Sequence, residues 1–191
     1  FLDNLTKFKG TKITTSIDGW GEMNDYIRYP SKWDHIWENF TKLVDVGEQH
    51  RKIKVRLSTV SQITNVWHLA DFYKKLFEFQ ESTPVRIGLS SNQLVDPAYY
   101  NVRYAPEFMK EHARGTLRGF LNNIKGSRWY EDTFKEPIED IIKWMEPENH
   151  IEDNSVLKEY IDVTYDYDNF RKDNIRKVFP GYEYIRSYAG L

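Results

Sequence analysis

The stretch "TTSIDGWGEMNDYIRYPSKW", Thr14 to Trp33, begins as a β-strand, breaks at Asp18-Gly19, and runs through a long charged and aromatic connection before a helix takes over. On its amino-terminal side, "KITTSID" sets Ile13 and Ile17 among β-branched neighbours, which predicts a strand over Lys12 to Asp18. On the other side, Trp33, Ile36, Trp37, Phe40, Leu43 and Val44 recur at the spacing of an amphipathic helix, with Ser31 as its cap and Gly47 as its end. A second strand follows over Lys52 to Val60, then a helix from about Asn65 to Phe79, then a third strand over Val85 to Leu89. Strands alternating with helical crossovers predict βαβ units and a parallel sheet, so the fold class is α/β. Three parallel strands leave both outer strands with unpaired backbone, and a partner is expected beside Lys12 to Asp18.

After "DPAYYNVRYAPEF" the character changes. Helices are expected over Pro106 to Ile124, about Phe134 to Met145, Ser155 to Tyr160 and Tyr167 to Val178, separated by Gly126, Pro147 and Asn154. A boundary near Gly126 divides the chain into an α/β part, residues 1–125, and a helical extension, residues 126–191. Phe1, Leu2, Leu5 and Phe8 fall at helical spacing and predict the last turns of a helix closed by Gly10.

Composition narrows the class of activity. Aromatic residues make up 16% of the 191, and the formal charge of −2 gives no basic footprint for nucleic acid. The chain has no cysteine, which excludes disulfides, thiolate zinc sites and thiol nucleophiles within it. No apolar run approaches the roughly 18 to 20 residues of a membrane span, so a cytoplasmic protein with no membrane partner is expected. The phosphate-loop, dinucleotide, zinc-protease and nucleophile-elbow motifs are all missing.

Ligands of parallel sheets gather at the carboxyl ends of the strands. Those ends carry Ser16, Asp18 and Gly19, then Ser58, Thr59 and Ser61, then Ser90, Ser91 and Asn92, all suited to a polar ligand. Asp18 could accept bonds from ligand hydroxyls or an ammonium, act as an acid or base in a barrel enzyme, or make a simple Asp-Gly turn. The planar fork of Arg28 could hold a carboxylate, or stack on Tyr26 or Tyr29 and pair with a loop acid. The five histidines are scattered without ligand spacing. "YIDVTYDYDNFRKDN" offers a partial calcium-loop pattern at Asp166 and Asp168 but lacks the turn glycine and closing glutamate, and reads as a solvated helix face.

"SIDGWGEMNDYIRYPSKWDHIWENF" resembles the fourth-strand segment of radical S-adenosylmethionine (SAM) enzymes carrying a SPASM or twitch extension. The resemblance rests on Ser16-Ile17-Asp18-Gly19, Gly21, Tyr26-Ile27-Arg28, Trp33 and Asn39. "RLSTVSQITNVWHLADFYKKL" is similar to that family's fifth strand and helix through Thr59, Val60 and Asn65. "RIGLSSNQLVDPAYYNVRYAPEFMKEHA" is similar to its sixth, and "DNFRKDNIRKVFPGYE" to the ending of cysteine-poor, phage-type members.

The resemblance implies the C-terminal half of a partial (β/α)6 barrel, followed by a twitch-like extension without cysteines. It implies SAM as cofactor, with Ser16, Asp18, Arg28, Ser58, Asn65 and Ser90 as binding residues. It further implies a [4Fe-4S] cluster ligated from an N-terminal half of the same barrel, generating a 5′-deoxyadenosyl radical for use on a peptide or protein substrate. The family's C-x-x-x-C-x-x-C does not occur here, so the expectation is a fragment that cannot run radical chemistry alone. A reading from another class is a cluster-free α/β module that binds a peptide through its aromatic surface.

Overall fold

The computed structural model describes residues 2–191; Phe1 lies outside the described residues. Strands β1 (Thr11–Ser16), β2 (Ile53–Ser61) and β3 (Gly88–Gln93) form one parallel sheet in the order β1-β2-β3. The sheet is flanked in sequence by helices α1 (Leu2–Leu5), α2 (Glu22–Ile27), α3 (Trp33–Gln49), α4 (Leu69–Glu81) and α5 (Glu107–Ile124). Helices α6 (Lys135–Trp144), α7 (Asn154–Arg171) and α8 (Tyr182–Tyr188) follow, with a π-helical turn over Tyr130–Phe134 leading into α6.

Because the strands succeed one another in a single direction, right-handed crossovers put the connecting helices on the same face. The burial of β2 alternates accordingly. Ile53, Val55, Leu57, Thr59 and Ser61 are buried, and Leu57 and Leu89 join Phe40, Leu43 and Val44 of α3 and Phe72, Tyr73 and Leu76 of α4 in one core. The opposite face presents Lys12, Thr14 and Ser16 from β1, Lys54, Arg56 and Ser58 from β2, and Ser90 and Asn92 from β3, all exposed or half-buried. A parallel sheet is ordinarily apolar on both faces. This one is apolar on one side and polar on the other. No further strand pairs with β1 or β3 among the described residues.

Several element boundaries differ from the sequence reading. Phe8 is 59% exposed and lies beyond α1, so the predicted helix does not continue to Gly10. Ser31 does not cap α3: the helix begins after Lys32 without a side-chain cap, and the Ser31 hydroxyl is buried without a partner among the described residues. Gly47 does not end α3 either. A Cβ there would stand 3.2 Å from Val55 Cγ2, so the glycine marks where the helix passes closest to the sheet.

β3 starts later than predicted because the Gln80 amide takes the place of a ladder partner. It donates to Val85 O at 2.8 Å and accepts from Ile87 N at 2.8 Å, and pairing with Arg56–Ser61 begins only at Gly88. The two helices expected over Ser155–Tyr160 and Tyr167–Val178 are one, α7, capped by Asp153 and ended by Lys172 in the left-handed conformation. Burial of Tyr160, Ile161 and Thr164 carries the helix through the β-branched pair Val163-Thr164. Residues 126–191 pack back onto the sheet, α6 against β3 and α5, and α7 against the turn at Ala98–Tyr100.

Candidate functional site

The register of the sheet sets three of the six predicted residues side by side. Ser16 pairs with Ser58 and Ser58 with Ser90, so one row of hydroxyls crosses all three strands on the polar face. Ser16 is exposed. The Ser58 hydroxyl accepts from Asn92 Nδ2 at 2.9 Å, and Ser90 makes a long 3.5 Å bond to Leu57 O.

Above this row, at the carboxyl ends of the strands, the other three residues bind one another. Asp18 is 4% exposed; its Oδ1 accepts from Val60 N at 2.7 Å and its Oδ2 stands 2.7 Å from Arg28 Nη2. Asn65, 1% exposed, donates through Nδ2 to Asp18 O and to Val60 O, each at 2.8 Å, and accepts from Gln62 N at 3.0 Å. Asn24 Oδ1 accepts from Asp18 N, and the Thr59 hydroxyl donates to Ile17 O. The bonding capacity of Asn65 toward its neighbours is thus committed within the fold, and both Asp18 oxygens already have partners. These residues clamp the β1 and β2 tips. Burial pushes the Asp18 carboxyl above the ordinary carboxylate range, and the Val60 N–H and the Arg28 guanidinium only partly offset it.

Of the alternatives open for Arg28, the structure selects pairing with an acid, and that acid is Asp18. The stacking role passes to a residue outside the sequence reading. Arg171 at the end of α7 lies 5.0 Å from the ring centre of Tyr29 and 4.5 Å from that of Tyr167, and donates through Nη1 to Tyr26 O at 3.0 Å. Tyr26 in turn donates its hydroxyl to Asp168 at 2.9 Å, and Asp168 also accepts from Ile175 N. The reading of the acidic run as a solvated face is therefore wrong for Asp168, which ties α7 to α2. No local signal could have found these contacts, since Tyr26 and Asp168 are separated by most of the chain.

Between α2, α7 and the strand tips lies a cleft of about 570 Å³ whose charged lining consists of Asp18, Arg28 and Arg171. Tyr26, Tyr29, Tyr100 and Tyr167 supply most of its aromatic wall. The Tyr100 hydroxyl is pushed up to about 12 by burial and stays protonated at neutral pH. A larger hollow of about 880 Å³ sits toward the amino-terminal half of the polar face, where Lys12, Lys54 and Arg56 meet Glu131, Asp132 and Glu136. Its charges are of both signs, and it lies away from the βα loops that build ligand sites in parallel sheets.

Neither site fits an iron–sulfur cluster. The chain offers no thiolate, and no group of three or more His, Asp or Glu side chains among the described residues could hold a metal ion. No helix among the described residues is long and apolar enough to cross a membrane. Comparisons with known protein families, with curated proteins and with solved structures find no match to this chain.

Proposed function

We propose that the chain forms the SAM-binding wall of a radical SAM partial barrel acting on a peptide or protein substrate. The observation that carries this reading is the serine row Ser16–Ser58–Ser90 on the open polar face of a sequentially ordered parallel sheet. In a closed or partial barrel that face lines the lumen, where polar side chains meet the cofactor rather than a second layer of helices. Hydroxyls in neighbouring register positions, about 4.8 Å apart from strand to strand, offer a polar ligand with several oxygens donors and acceptors along one line.

On this reading Ser16 and Ser58 bond SAM directly and Ser90 borders the adenine. Asp18, Arg28 and Asn65 hold the two strand tips in register, so they shape the pocket rather than react. The cluster needs cysteines that these 191 residues do not contain, so its ligands would come from outside them, and no radical step is assigned to any residue here.

Isothermal titration of the chain with SAM tests the binding half of the proposal. Saturable one-site binding, weakened at least fivefold by Ser16→Val together with Ser58→Val, is the expected result. The catalytic half is tested on the full reading frame that encodes the chain, reconstituted with iron and sulfide. Release of 5′-deoxyadenosine from SAM supports it; absence of both SAM binding and cleavage overturns the reading.

A further inference from the structure

The cleft above the serine row has features that the clamp at the strand tips does not use. Arg171 makes one hydrogen bond, to a carbonyl, and no carboxylate lies within ion-pair distance of it among the described residues. Its guanidinium carbon lies 5.0 Å from the Tyr29 ring centre and 4.5 Å from that of Tyr167, so cation–π contacts with two rings position it beside the cleft. Gln62 lines the same cleft at 6% exposure, and its side-chain amide has no hydrogen-bond partner among the described residues. Arg28, also in the lining, keeps a buried Nε without a partner among the described residues even though its Nη2 is paired with Asp18.

The lining therefore carries two guanidinium groups against one carboxylate that is already paired, which leaves an excess of one positive charge inside a tyrosine-walled cavity. A volume of about 570 Å³ lies within the range of small-molecule sites, roughly 300–1,000 Å³. A planar guanidinium can hold a carboxylate in two-point fashion, and the Gln62 amide, in the same lining, adds a further donor.

We infer that this cleft binds a carboxylate-bearing ligand, with Arg171 and Gln62 as its polar contacts and the tyrosine walls packing its flat or apolar body. The carboxylate belongs either to a free small aromatic acid or to the C-terminus of a peptide, since both present the same group. The inference concerns the cleft alone and stands independently of whether SAM occupies the serine row.

The test is isothermal titration of the 191-residue chain with benzoate, with benzamide as the uncharged control, and with Gly-Gly-Tyr as free acid and as C-terminal amide. Saturable binding of at least one acid, with its amide counterpart at least tenfold weaker, is expected. Arg171→Met should cost tenfold or more, and Arg171→Lys should restore part of the loss. Gln62→Glu, which sets a like charge against the carboxylate, should abolish binding, and it carries the test if Arg171→Met does not fold by circular dichroism.

Tighter binding of benzoate assigns the site to a small acid, and tighter binding of the free peptide assigns it to a chain terminus. Equal affinity for acid and amide, unchanged binding in a folded Arg171 variant, or no saturable binding of either acid overturns the inference. One-for-one displacement of benzoate by SAM also overturns it, because the carboxylate site would then be the cofactor's own. If SAM is neither bound by the chain nor cleaved by the reconstituted full-length protein, the proposed function fails while the carboxylate result is unaffected.

Discussion

Arg28 Nη2 lies 2.7 Å from Asp18 Oδ2, and the same carboxylate accepts the Val60 N–H at 2.7 Å, so one side chain joins the α2 loop to the tips of two strands. Asp18→Ala leaves the Val60 N–H without its acceptor and is expected to cost about 2 kcal/mol in urea unfolding. Asp18→Asn keeps an oxygen for that N–H and should cost about 1 kcal/mol, because Arg28, with 32% of its side chain exposed, can turn to solvent.

The pH dependence of that pair has a defined sign. Burial raises the Asp18 carboxyl in the folded chain, so folding favours its protonated form. That contribution is complete below the ordinary carboxylate value and is lost as pH rises through the raised folded value. The stability advantage of the wild type over Asp18→Asn should therefore be larger at acid pH than at pH 7, read from urea midpoints across the range. An advantage that grows with pH would mean that Arg28 outweighs burial.

Asn65 bridges both strand tips from a buried position. Two carbonyls, Asp18 O and Val60 O, point at its Nδ2, and its Oδ1 holds Gln62 N. Asn65→Asp sets an acceptor against both carbonyls and is expected to cost about 3 kcal/mol or more at neutral pH. Lowering the pH should recover part of the loss, since a protonated carboxyl can donate to one of them. Thermal denaturation at two pH values reads both effects, and a loss below about 1 kcal/mol at neutral pH would show that the strand tips do not depend on this bridge.

The sheet was legible in the sequence because a period of two and a period of 3.6 are physical consequences of strand and helix geometry. All three strands, α3 and α4 lie where the pattern put them, with boundaries shifted by a few residues, whereas α2 forms at Glu22–Ile27 inside the stretch read as a connection. What the pattern could not show was side-chain substitution for backbone pairing. The Gln80 amide delays β3 to Gly88, and the packing of Gly47 over Val55 turns an apparent stop into a point of close approach. The serine row was implied as separate residues and became a row only through the register. Arg171 and Gln62 were invisible for a different reason: a cleft between α2 and α7 is made by tertiary contact, and neither residue carries a local signature.

Lys110 is a second buried charge, at 0% side-chain exposure, held 2.9 Å from Glu107 Oε2 and 2.7 Å from His150 Nδ1. Burial lowers its ammonium below the ordinary lysine value, with the Glu107 carboxylate opposing. Folding thus favours the neutral amine, and stability should rise with pH from the folded value up to the ordinary lysine value. Lys110→Met should abolish that rise. It should cost no more than about 1.5 kcal/mol at pH 7, less than the 3–5 kcal/mol expected when a buried partner is stranded. Glu107 keeps an ion pair, since its side chain is 40% exposed and its other oxygen, Oε1, stands 2.8 Å from Arg114, although Oε2 loses its cation. Guanidinium unfolding from pH 7 to pH 10 distinguishes the slope from the offset, and an unchanged slope in the variant would assign it to another group.

Lys172 ends α7 with φ 54° and ψ 42°, the left-handed conformation in which a Cβ crowds its own carbonyl oxygen. Its N–H donates to Asp168 O, so the residue closes the helix that delivers Tyr167 and Arg171 to the cleft. Glycine at this position would keep the N–H and remove the Cβ clash, worth about 1–2 kcal/mol. Against this stands the greater freedom of glycine in the unfolded chain, about 0.5–1 kcal/mol. The expected balance for Lys172→Gly is a gain of about 0.5–1 kcal/mol. Lys172→Ala keeps the Cβ and removes the charge, so it should leave stability within about 0.3 kcal/mol of wild type. An equal gain in both variants would place the effect in the lysine charge and not in the backbone. A gain confined to glycine, with benzoate affinity unchanged, would show that the α7 terminus carries conformational strain that the cleft does not require.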